Sequence, residues 1–380
     1  MKILLLNWQD IKNPIGGGAE VYLHQIFKRI AALGHSVTLF SCQFANALPE
    51  EDIDGIHVIR KGNRNLFNYI VPLEYRKRFQ HEHYDIVIDD INKIPFYTPL
   101  FIREPLMGMV MHLFGNSIFK EASVPAAAYV YGAERLVPSV YRKTPLVAIS
   151  ESTRQELLSY GCRKENIFLV PCAVNHTTYR QLSGIHRIEL LIGYVGRIKK
   201  YKSVDHLLHA FAIVLKELPQ AKLAIIGEGD SKPEFQRIAH ELHIDHATTF
   251  TGFLPLEEKV RLLNQMQLVV NTSAKEGWGL TVTEANACGA PAVASDVPGL
   301  RDAVIDGETG LLYEYGNIEQ LAEKILLLLR DEHLRMRLAA GALSYAQSLT
   351  WDKSAEIMLD VIEKVLHGGY KRNSAIPYIS

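Results

Sequence analysis

The chain carries Ser273-Ala274-Lys275-Glu276-Gly277-Trp278-Gly279-Leu280-Thr281-Val282-Thr283-Glu284-Ala285 directly after an apolar run at 268–272. The pattern predicts a buried strand, a glycine turn and the start of a helix. Glycine lets the backbone come close to a ligand, and a helix N-terminus offers unpaired N–H groups to an anion. The two carboxylates that flank the turn accept hydrogen bonds from hydroxyl groups. The segment therefore predicts a pocket for a ligand that carries both phosphate and sugar.

Buried strands followed by amphipathic helices recur along the whole chain. The predicted strands lie at 2–7, 36–41, 84–89, 146–150 and 167–171, and again at 190–196, 222–227, 248–252, 268–272 and 290–295. Strands separated by helices in this way form parallel sheets that are covered on both faces. The expected fold class is therefore α/β, with two Rossmann-like domains that face each other across a cleft. That cleft is the default ligand site.

The length of the chain also favours two domains, because 380 residues exceed one ordinary core. A polar stretch at 175–189 reads as a linker. We expect an N-terminal Rossmann-like domain at 1–175 and a C-terminal Rossmann-like domain at 176–358. Residues 318–368 are predicted to be helical. Residues 359–380 are expected to form a helix and tail that return to the N-terminal domain.

The composition is typical of a soluble globular protein, with 48% hydrophobic residues, 22% charged residues and a net charge of −1. Such a balance does not suggest a nucleic-acid partner. The four cysteines are scattered without metal-ligand spacing, which suits a reducing cytosol. The longest uncharged run, between Glu104 and Lys120, falls short of the roughly 20 residues that a membrane span needs. We therefore expect a cytoplasmic protein.

Glycines also mark the ends of two other predicted strands. Gly16-Gly17-Gly18 precedes a helix and could let phosphate oxygens or an acceptor approach the backbone, although a flexible turn is the alternative. In the second half, Gly193-Tyr194-Val195-Gly196-Arg197 is followed by three lysines, of which the last is Lys202. A guanidinium and an ammonium are suited to a diphosphate. The alternative here is a solvated basic turn.

Taken together, these segments resemble the retaining glycosyltransferases of family 4, which have the GT-B fold. The resemblance covers nearly the whole chain and is most specific over residues 190–300. The matching motifs are Gly196-Arg197 with Lys202, Gly227-Glu228-Gly229, Thr251-Gly252-Phe253, the Glu276/Glu284 pair, Gly289-Ala290-Pro291, Ala148-Ile149-Ser150-Glu151-Ser152 and Trp351.

The resemblance implies that the domain at 1–175 binds the acceptor and that the domain at 176–358 binds the nucleotide sugar. It also implies a role for each matching residue. Arg197 and Lys202 would hold the diphosphate and stabilise the leaving group. Glu284 would bind the ribose hydroxyls, and Glu276 would hold the transferred sugar. His112 resembles the family's cleft histidine near the reacting carbon, with a histidine packed in the core as the alternative. The other expected donor-binding positions are Gly17, Gly18, Gly196, Phe253, Gly277, Trp278, Gly279, Leu280 and Thr281.

The mechanism that the resemblance implies is front-face displacement with retention of anomeric configuration. No protein nucleophile is needed, and the departing phosphate helps to deprotonate the acceptor. Cationic groups at the diphosphate are then the main catalytic device. Asp89-Asp90-Ile91-Asn92 is a candidate metal site, but Arg197 and Lys202 take over the task of a metal. We therefore expect no metal and no cofactor, since the nucleotide sugar is a substrate.

Two positions depart from the family pattern. The sequence has Tyr201-Lys202-Ser203 where the family usually has Glu-Lys-Gly, so the turn after the lysine is expected to differ. Trp278 stands where the family more often has phenylalanine, which is a mild change.

The acceptor is expected on the N-terminal half. A run of cations is interleaved there with apolar residues, and it suggests a surface for an anionic membrane, or else a helix with ordinary charges. Its members are Arg60, Lys61, Arg64, Arg76, Lys77 and Arg78 with Leu66, Phe67, Tyr69, Ile70 and Val71. Peripheral membrane contact and a lipid-linked acceptor are therefore hypotheses.

We predict a retaining, metal-independent glycosyltransferase of the hexosyltransferase type. It moves a sugar from a UDP- or GDP-sugar donor to a sugar or lipid-linked acceptor, in polysaccharide or glycolipid biosynthesis, at the inner face of the membrane. One alternative is a GT-B-fold nucleotide-sugar epimerase. Another is a catalytically degenerate transferase that serves as a partner subunit, against which the intact Arg197, Lys202, Glu276 and Glu284 argue.

Overall fold

The structure is a computed structural model and describes residues 1–92, 94–120 and 122–367. It divides into two compact units. The first comprises Met1–Gly115, Pro125–Pro171 and the described residues from Asp352 onward, and the second comprises Asn116–Val124 and Cys172–Trp351. The divisions thus fall at 171/172 and 351/352, where the sequence suggested 175/176 and 358/359. Most of the expected tail, residues 368–380, lies outside the described residues.

The first unit contains an eight-stranded sheet with the strand order β3-β4-β2-β1-β5-β6-β7-β8. Every neighbouring pair of these strands is parallel except the hairpin β3–β4. The strands are β1 (Lys2–Leu6), β2 (Ser36–Ser41), β3 (Glu50–Ile53), β4 (Ile56–Arg60), β5 (Ile86–Ile91), β6 (Leu106–Val110), β7 (Leu146–Ala148) and β8 (Ile167–Leu169).

The helices of this half of the chain cover the sheet with apolar stripes. In the first of them, Tyr22, Ile26 and Ile30 are fully buried at helical spacing, and the helix ends before Gly34, whose φ is +91°. The helices are α1 (Gly18–Ala32), α2 (Phe67–Lys77), α3 (Val124–Arg135), α4 (Val137–Val140) and α5 (Glu151–Ser159). Short 3-10 turns lie at Arg64–Leu66, Phe79–His81, Thr98–Leu100, Gly115–Lys120 and Lys164–Asn166.

A buried ion pair holds the loop that follows β1. Arg60, the last residue of β4, donates from Nε to Asp10 Oδ2 at 2.7 Å and from Nη2 to Asp10 Oδ1 at 2.8 Å. Neither side chain is exposed. Arg60 also donates to Glu51 Oε1 at 2.6 Å. The interpretation of Arg60 as a surface cation was therefore wrong. Its side chain is buried, and its ion pairs with Asp10 and Glu51 hold the loop against the sheet.

The second unit contains a six-stranded, fully parallel sheet with the order β11-β10-β9-β12-β13-β14. Its strands are β9 (Leu191–Val195), β10 (Lys222–Ile226), β11 (Thr248–Gly252), β12 (Leu268–Asn271), β13 (Ala292–Ser295) and β14 (Gly310–Tyr313). Its helices are α6 (Val204–Glu217), α7 (Lys232–Glu241), α8 (Leu256–Gln265), α9 (Leu280–Ala287), α10 (Leu300–Ala303), α11 (Ile318–Arg330) and α12 (Glu332–Ser348), with 3-10 turns at Lys200–Lys202 and Asp245–Ala247. The last helix, α13 (Trp351–His367), belongs from Asp352 onward to the first unit.

The strand order of the second unit reverses between β9 and β12. In open α/β sheets, ligands bind beyond the carboxyl ends of the strands at such a switch point. The loops after β9 and β12 are therefore the expected position of a ligand-binding site.

Asp89 gives the first unit a pH-dependent stability. It is fully buried within β5, where Thr98 Oγ1 donates to its Oδ2 at 2.6 Å and the Tyr141 hydroxyl donates to the same oxygen. Burial raises the pKa of Asp89 to about 6. The folded state therefore holds a proton that the unfolded chain releases near pH 4. The stabilisation is complete below about pH 4 and is lost as the pH rises through about 6.

Replacement of Asp89 with Asn should flatten this dependence. We expect the difference in free energy of unfolding between wild type and Asp89→Asn to change by about 2 kcal/mol between pH 4 and 6, in the direction that disfavours the wild type at the higher pH. Urea denaturation across this pH range measures it, with Asp360→Asn on the exposed face of α13 as the control. A difference that stays constant with pH would contradict the assignment.

Candidate active site

Two loops from the switch point bring the predicted cations and a predicted acid of the second unit together. Gly196 and Arg197 follow β9 directly, and Lys202 closes the 3-10 turn Lys200–Lys202. Glu276 lies in the loop between β12 and α9. The Thr272 hydroxyl donates to Lys202 O at 2.9 Å, and the Ala274 N–H donates to Tyr201 O at 2.8 Å. One backbone–backbone hydrogen bond and one hydrogen bond from a side chain to the backbone thus connect the two loops. The side chains described next add further contacts.

Lys202 and Glu276 form an ion pair between Nζ and Oε1. Their side chains are only 13% and 16% exposed, so the pair is largely screened from water. Burial alone would lower the pKa of Lys202, but the carboxylate of Glu276 outweighs it and the pKa is raised. Arg197 is exposed, and its charge is near enough to oppose that of Lys202. The loop therefore carries two permanent cations beside one carboxylate.

A chain of hydroxyl and amide groups fixes the carboxylate of Glu276. Ser273 Oγ lies 2.8 Å from Glu276 Oε1 and 2.7 Å from Asn271 Oδ1. The Ser295 hydroxyl in turn donates to Ser273 O at 2.6 Å. Asn271, Ser273 and Ser295 are buried at the ends of two neighbouring strands. Sequence reasoning assigned none of them a role, although polar residues at the end of a buried strand were the available signal.

The second predicted acid, Glu284, forms a separate cluster. It lies on α9 and accepts from Lys259 Nζ on α8 at 2.7 Å, with side-chain exposures of 17% and 19%. Lys259 also donates to the Tyr179 hydroxyl at 3.0 Å. Burial works to lower the pKa of Lys259, but Glu284 and Tyr179 raise it well above its ordinary value. Sequence reasoning missed Lys259 and Tyr179, because a lysine after two glutamates on a helix resembles a solvated face.

The glycines of the site are required by close packing. Gly279 caps α9 with a φ of +109°, and a Cβ there would lie 2.9 Å from Leu300 Cδ2. Gly227 has a φ of +142°, and a Cβ would lie 1.9 Å from Gly196 O. At both positions the positive φ and the lack of room for a Cβ leave glycine as the residue that fits.

The remaining predicted donor-binding residues of this unit differ in exposure. Phe253, after β11, is 83% exposed. Trp278 is 5% exposed, and its buried indole N–H has no hydrogen-bond partner among the described residues. Leu280 and Thr281 form the first turn of α9 and are half-buried, and Gly277 lies in the preceding loop. Of these groups, the exposed ring of Phe253 and the N-terminus of α9 are accessible to a ligand.

Three predicted residues belong to the first unit. His112 follows β6, is half-buried and packs its ring against Phe114 at a centroid distance of 4.8 Å. Gly17 precedes α1 and donates its N–H to Glu20 Oε2 at 2.6 Å, and Gly18 is the first residue of that helix. In the second unit, the structure brings Lys202 into contact with Glu276, and Lys259 into contact with Glu284. His112, Gly17 and Gly18 belong to the first unit, and their contacts are described within that unit.

One acid of the candidate metal segment, Asp89, has hydrogen-bond partners within the first unit. Asp89 is occupied by Thr98 and Tyr141, as described above. Within residues 1–92, 94–120 and 122–367, no group of three or more His, Cys, Asp or Glu side chains is arranged to hold a metal ion.

Comparison with known proteins identifies the family. Residues 176–344 match the family Glycosyl transferases group 1, and residues 16–178 match Glycosyltransferase Family 4. A D-inositol 3-phosphate glycosyltransferase from Thermomonospora curvata is 30% identical and aligns with 91% of this chain and 90% of its own length.

Solved structures share the fold. Sucrose-phosphate synthase from Thermosynechococcus elongatus has a TM-score of 0.80 at 20% identity, covering 97% of this chain and 100% of that one. Anabaena HepE in complex with UDP and glucose has a TM-score of 0.76 at 19% identity, covering 96% and 100%. The predicted GT-B class, with two α/β domains, is confirmed. The chain is a glycosyltransferase and belongs to family 4 of the group 1 glycosyltransferases.

Proposed function

We propose that this enzyme transfers a sugar from a nucleotide-sugar donor to a hydroxyl of a sugar or lipid-linked acceptor, with retention of anomeric configuration and without a metal. The observation that carries the proposal is the pair of acid–lysine clusters in the second unit. Lys202 with Glu276 lies beside the helix N-terminus of α9, and Lys259 with Glu284 lies farther along the same helix.

The two clusters suit the two ends of a nucleotide sugar. Lys202 and the neighbouring Arg197 offer positive charge to a diphosphate, and the N–H groups that open α9 add to it. Glu276 then remains to accept from hydroxyls of the sugar. Glu284 is engaged by Lys259 through one oxygen, and a carboxylate has further lone pairs for ribose hydroxyls.

The reaction forms a bond between the acceptor oxygen and the anomeric carbon while the bond from that carbon to the diphosphate oxygen breaks. Both events take place on one face of the sugar, which retains the configuration. The proton of the acceptor hydroxyl passes to the departing phosphate. Negative charge accumulates on the diphosphate, so Arg197 and Lys202 act where the charge develops.

The donor base is tested first, because ligand binding raises stability by mass action. A thermal-shift panel of UDP-, GDP- and ADP-sugars should show stabilisation by one base class, and HepE with bound UDP favours a UDP-sugar. Product analysis with the stabilising donor then reports the anomeric configuration, with and without a chelator. An inverted product or chelator-sensitive turnover would overturn the corresponding part of the proposal. Release of free nucleotide with water alone would point to an epimerase.

Replacing Glu284 with Ala should weaken nucleotide binding about 10- to 100-fold, since hydrogen bonds to a charged group are each worth about 1.5–3 kcal/mol. Titration calorimetry with the free nucleotide measures the effect. Glu276→Ala is the matched control, because it removes the other acid and should impair turnover more than nucleotide affinity. Equal nucleotide affinity in wild type and Glu284→Ala would show that the ribose role is misassigned.

We place the reaction in the cytoplasm, at the inner face of the membrane. A phosphorylated cyclitol is one candidate acceptor, because the Thermomonospora relative carries D-inositol 3-phosphate in its name. A lipid-linked sugar is the other. Competition between the two acceptor classes for the same donor would decide which one this enzyme uses.

A further inference from the structure

We propose that α2 and α3 together form a docking surface for an anionic lipid membrane. The surface consists of Leu66, Tyr69, Leu73 and Tyr129, with Arg64, Arg76 and Lys77 around them, and is called the α2–α3 surface below. It does not depend on the donor chemistry proposed above, and it supplies the partner that a lipid-linked acceptor requires.

One face of α2 is exposed although it is apolar. Leu66, Tyr69 and Leu73 recur at spacings of three and four residues, which places them on one stripe. They are 53%, 57% and 53% exposed, whereas Phe67 and Val71 on the opposite face are fully buried. Packing in the core thus accounts for Phe67 and Val71 but not for the exposed stripe.

Helix α3 extends the apolar stripe. The Tyr69 hydroxyl lies 3.3 Å from the Tyr129 hydroxyl, and Asn68 Nδ2 donates to the same Tyr129 oxygen at 3.4 Å. Tyr129 is 49% exposed, and Ala126 and Ala128 beside it are exposed as well. The two helices therefore present a continuous apolar area and not two separate side chains.

The exposed charged side chains of α2 and α3 have one sign. The only acids in the sequences of α2 and α3 are Glu74 and Glu134, and both are buried. Glu74 pairs with Lys61 at 2.8 Å, while Glu134 accepts from the backbone N–H groups of Phe114 and Gly115 at 2.6 and 2.8 Å.

The cations, in contrast, point to solvent. Arg64, Arg76 and Lys77 are exposed, and none of them pairs with a carboxylate of the described residues. Arg78 does pair, with Glu50 and Glu82, so it does not contribute. The α2–α3 surface therefore has a net positive edge that no side chain of its own neutralises.

Exposed leucines and tyrosines bordered by arginine and lysine fit the boundary between lipid headgroups and acyl chains. Apolar side chains insert there, tyrosine rings lie at the headgroup level, and cations attract anionic lipids. The helix would lie on the bilayer and not cross it. No helix in the part of the chain that the structure describes has the length and apolar composition for a span.

Vesicle binding of the full-length enzyme tests the proposal, without any nucleotide sugar. The probes are vesicles of phosphatidylglycerol and phosphatidylethanolamine in equal parts, and vesicles of phosphatidylcholine alone. We expect co-sedimentation with the anionic vesicles at low ionic strength, little with the neutral ones, and release at high salt. Charge reversal by Arg76→Glu with Lys77→Glu should weaken anionic binding at least about 30-fold.

The matched control is Lys216→Glu with Lys222→Glu, two exposed lysines of the second unit, which should leave vesicle binding unchanged. Insertion is read separately with Leu73→Trp, since the three native tryptophans are buried. Its emission should shift to the blue with anionic vesicles only. If circular dichroism shows that the charge-reversal variant is misfolded, the neutral variant Arg76→Gln with Lys77→Gln takes its place.

Equal sedimentation with both vesicle types, full binding after charge reversal, or an unshifted Leu73→Trp spectrum would each overturn the proposal. So would self-association that Leu66→Ser and Tyr69→Ser abolish in the absence of vesicle binding, because it would assign the surface to a second copy of the chain. A failed donor panel with intact vesicle binding would instead count against the proposed reaction alone.

Discussion

Replacing Lys202 with Met is expected to lower kcat by about 10²–10³, by analogy with the removal of one donor from an oxyanion hole. Methionine keeps most of the length and apolar contact of the lysine stem but brings no charge to the diphosphate. Because the lost interaction grows as the phosphate departs, kcat should fall more than KM rises.

Two neighbours of Lys202 determine how this variant is interpreted: Lys200 provides a control, and Glu276 loses its ion pair when Lys202 is replaced. Lys200 lies in the same turn with a side chain that is 69% exposed, so Lys200→Met should change kcat less than about threefold. Lys202→Met also leaves the carboxylate of Glu276 without its ion pair, which costs stability. The double variant Lys202→Met with Glu276→Gln should regain stability and stay inactive. A Lys202→Met enzyme with nearly full kcat would remove Lys202 from the mechanism.

The buried pair Arg60–Asp10 should have the largest effect on stability. Arg60→Met is expected to lower the free energy of unfolding by about 3–5 kcal/mol, because it leaves the carboxylate of Asp10 buried without a counter-charge. Chemical denaturation followed by circular dichroism measures the loss. The loop after β1, which leads to Gly17 and Gly18, should become more accessible to proteases.

Arg64→Met is the matched control, since Arg64 is exposed four residues later and should change stability by less than about 0.5 kcal/mol. Replacing both partners, as in Arg60→Met with Asp10→Leu, should cost less than Arg60→Met alone, because no orphan charge remains. If the double variant is less stable than both the wild type and Arg60→Met, the ion pair between Arg60 and Asp10 is not the source of the stabilisation.

The sequence predicted most strands to within a residue or two, because buried parallel strands are short apolar runs between turn residues. The prediction at 36–41 coincides with β2, and that at 248–252 coincides with β11. The hairpin β3–β4 escaped notice, since Glu50-Glu51-Asp52 does not look like a strand. Its turn signal was Asp54-Gly55, where both residues have positive φ.

The site was only partly accessible from the sequence. Local spacing made Glu276 and Glu284 candidates, because glycines and a helix start surround them. It did not identify Lys259 or Tyr179, which lie 25 residues from Glu284 and 80 residues from Lys259, respectively. Contacts of that kind depend on which helix faces pack together, and amphipathic periodicity does not specify the partner of a face.

The ion pair between Lys202 and Glu276 has a consequence for the catalytic cycle. In the proposed mechanism the diphosphate and the carboxylate of Glu276 both bind the ammonium group of Lys202, so Glu276 competes with the donor for that group. We expect this competition to weaken the affinity for the donor in the ground state. The larger negative charge on the diphosphate in the transition state should compete more successfully for Lys202 and so be stabilised more. On the same mechanism we expect the carboxylate to pair with Lys202 again after transfer, so that Glu276 contributes to release of the nucleotide as well as to binding of the sugar.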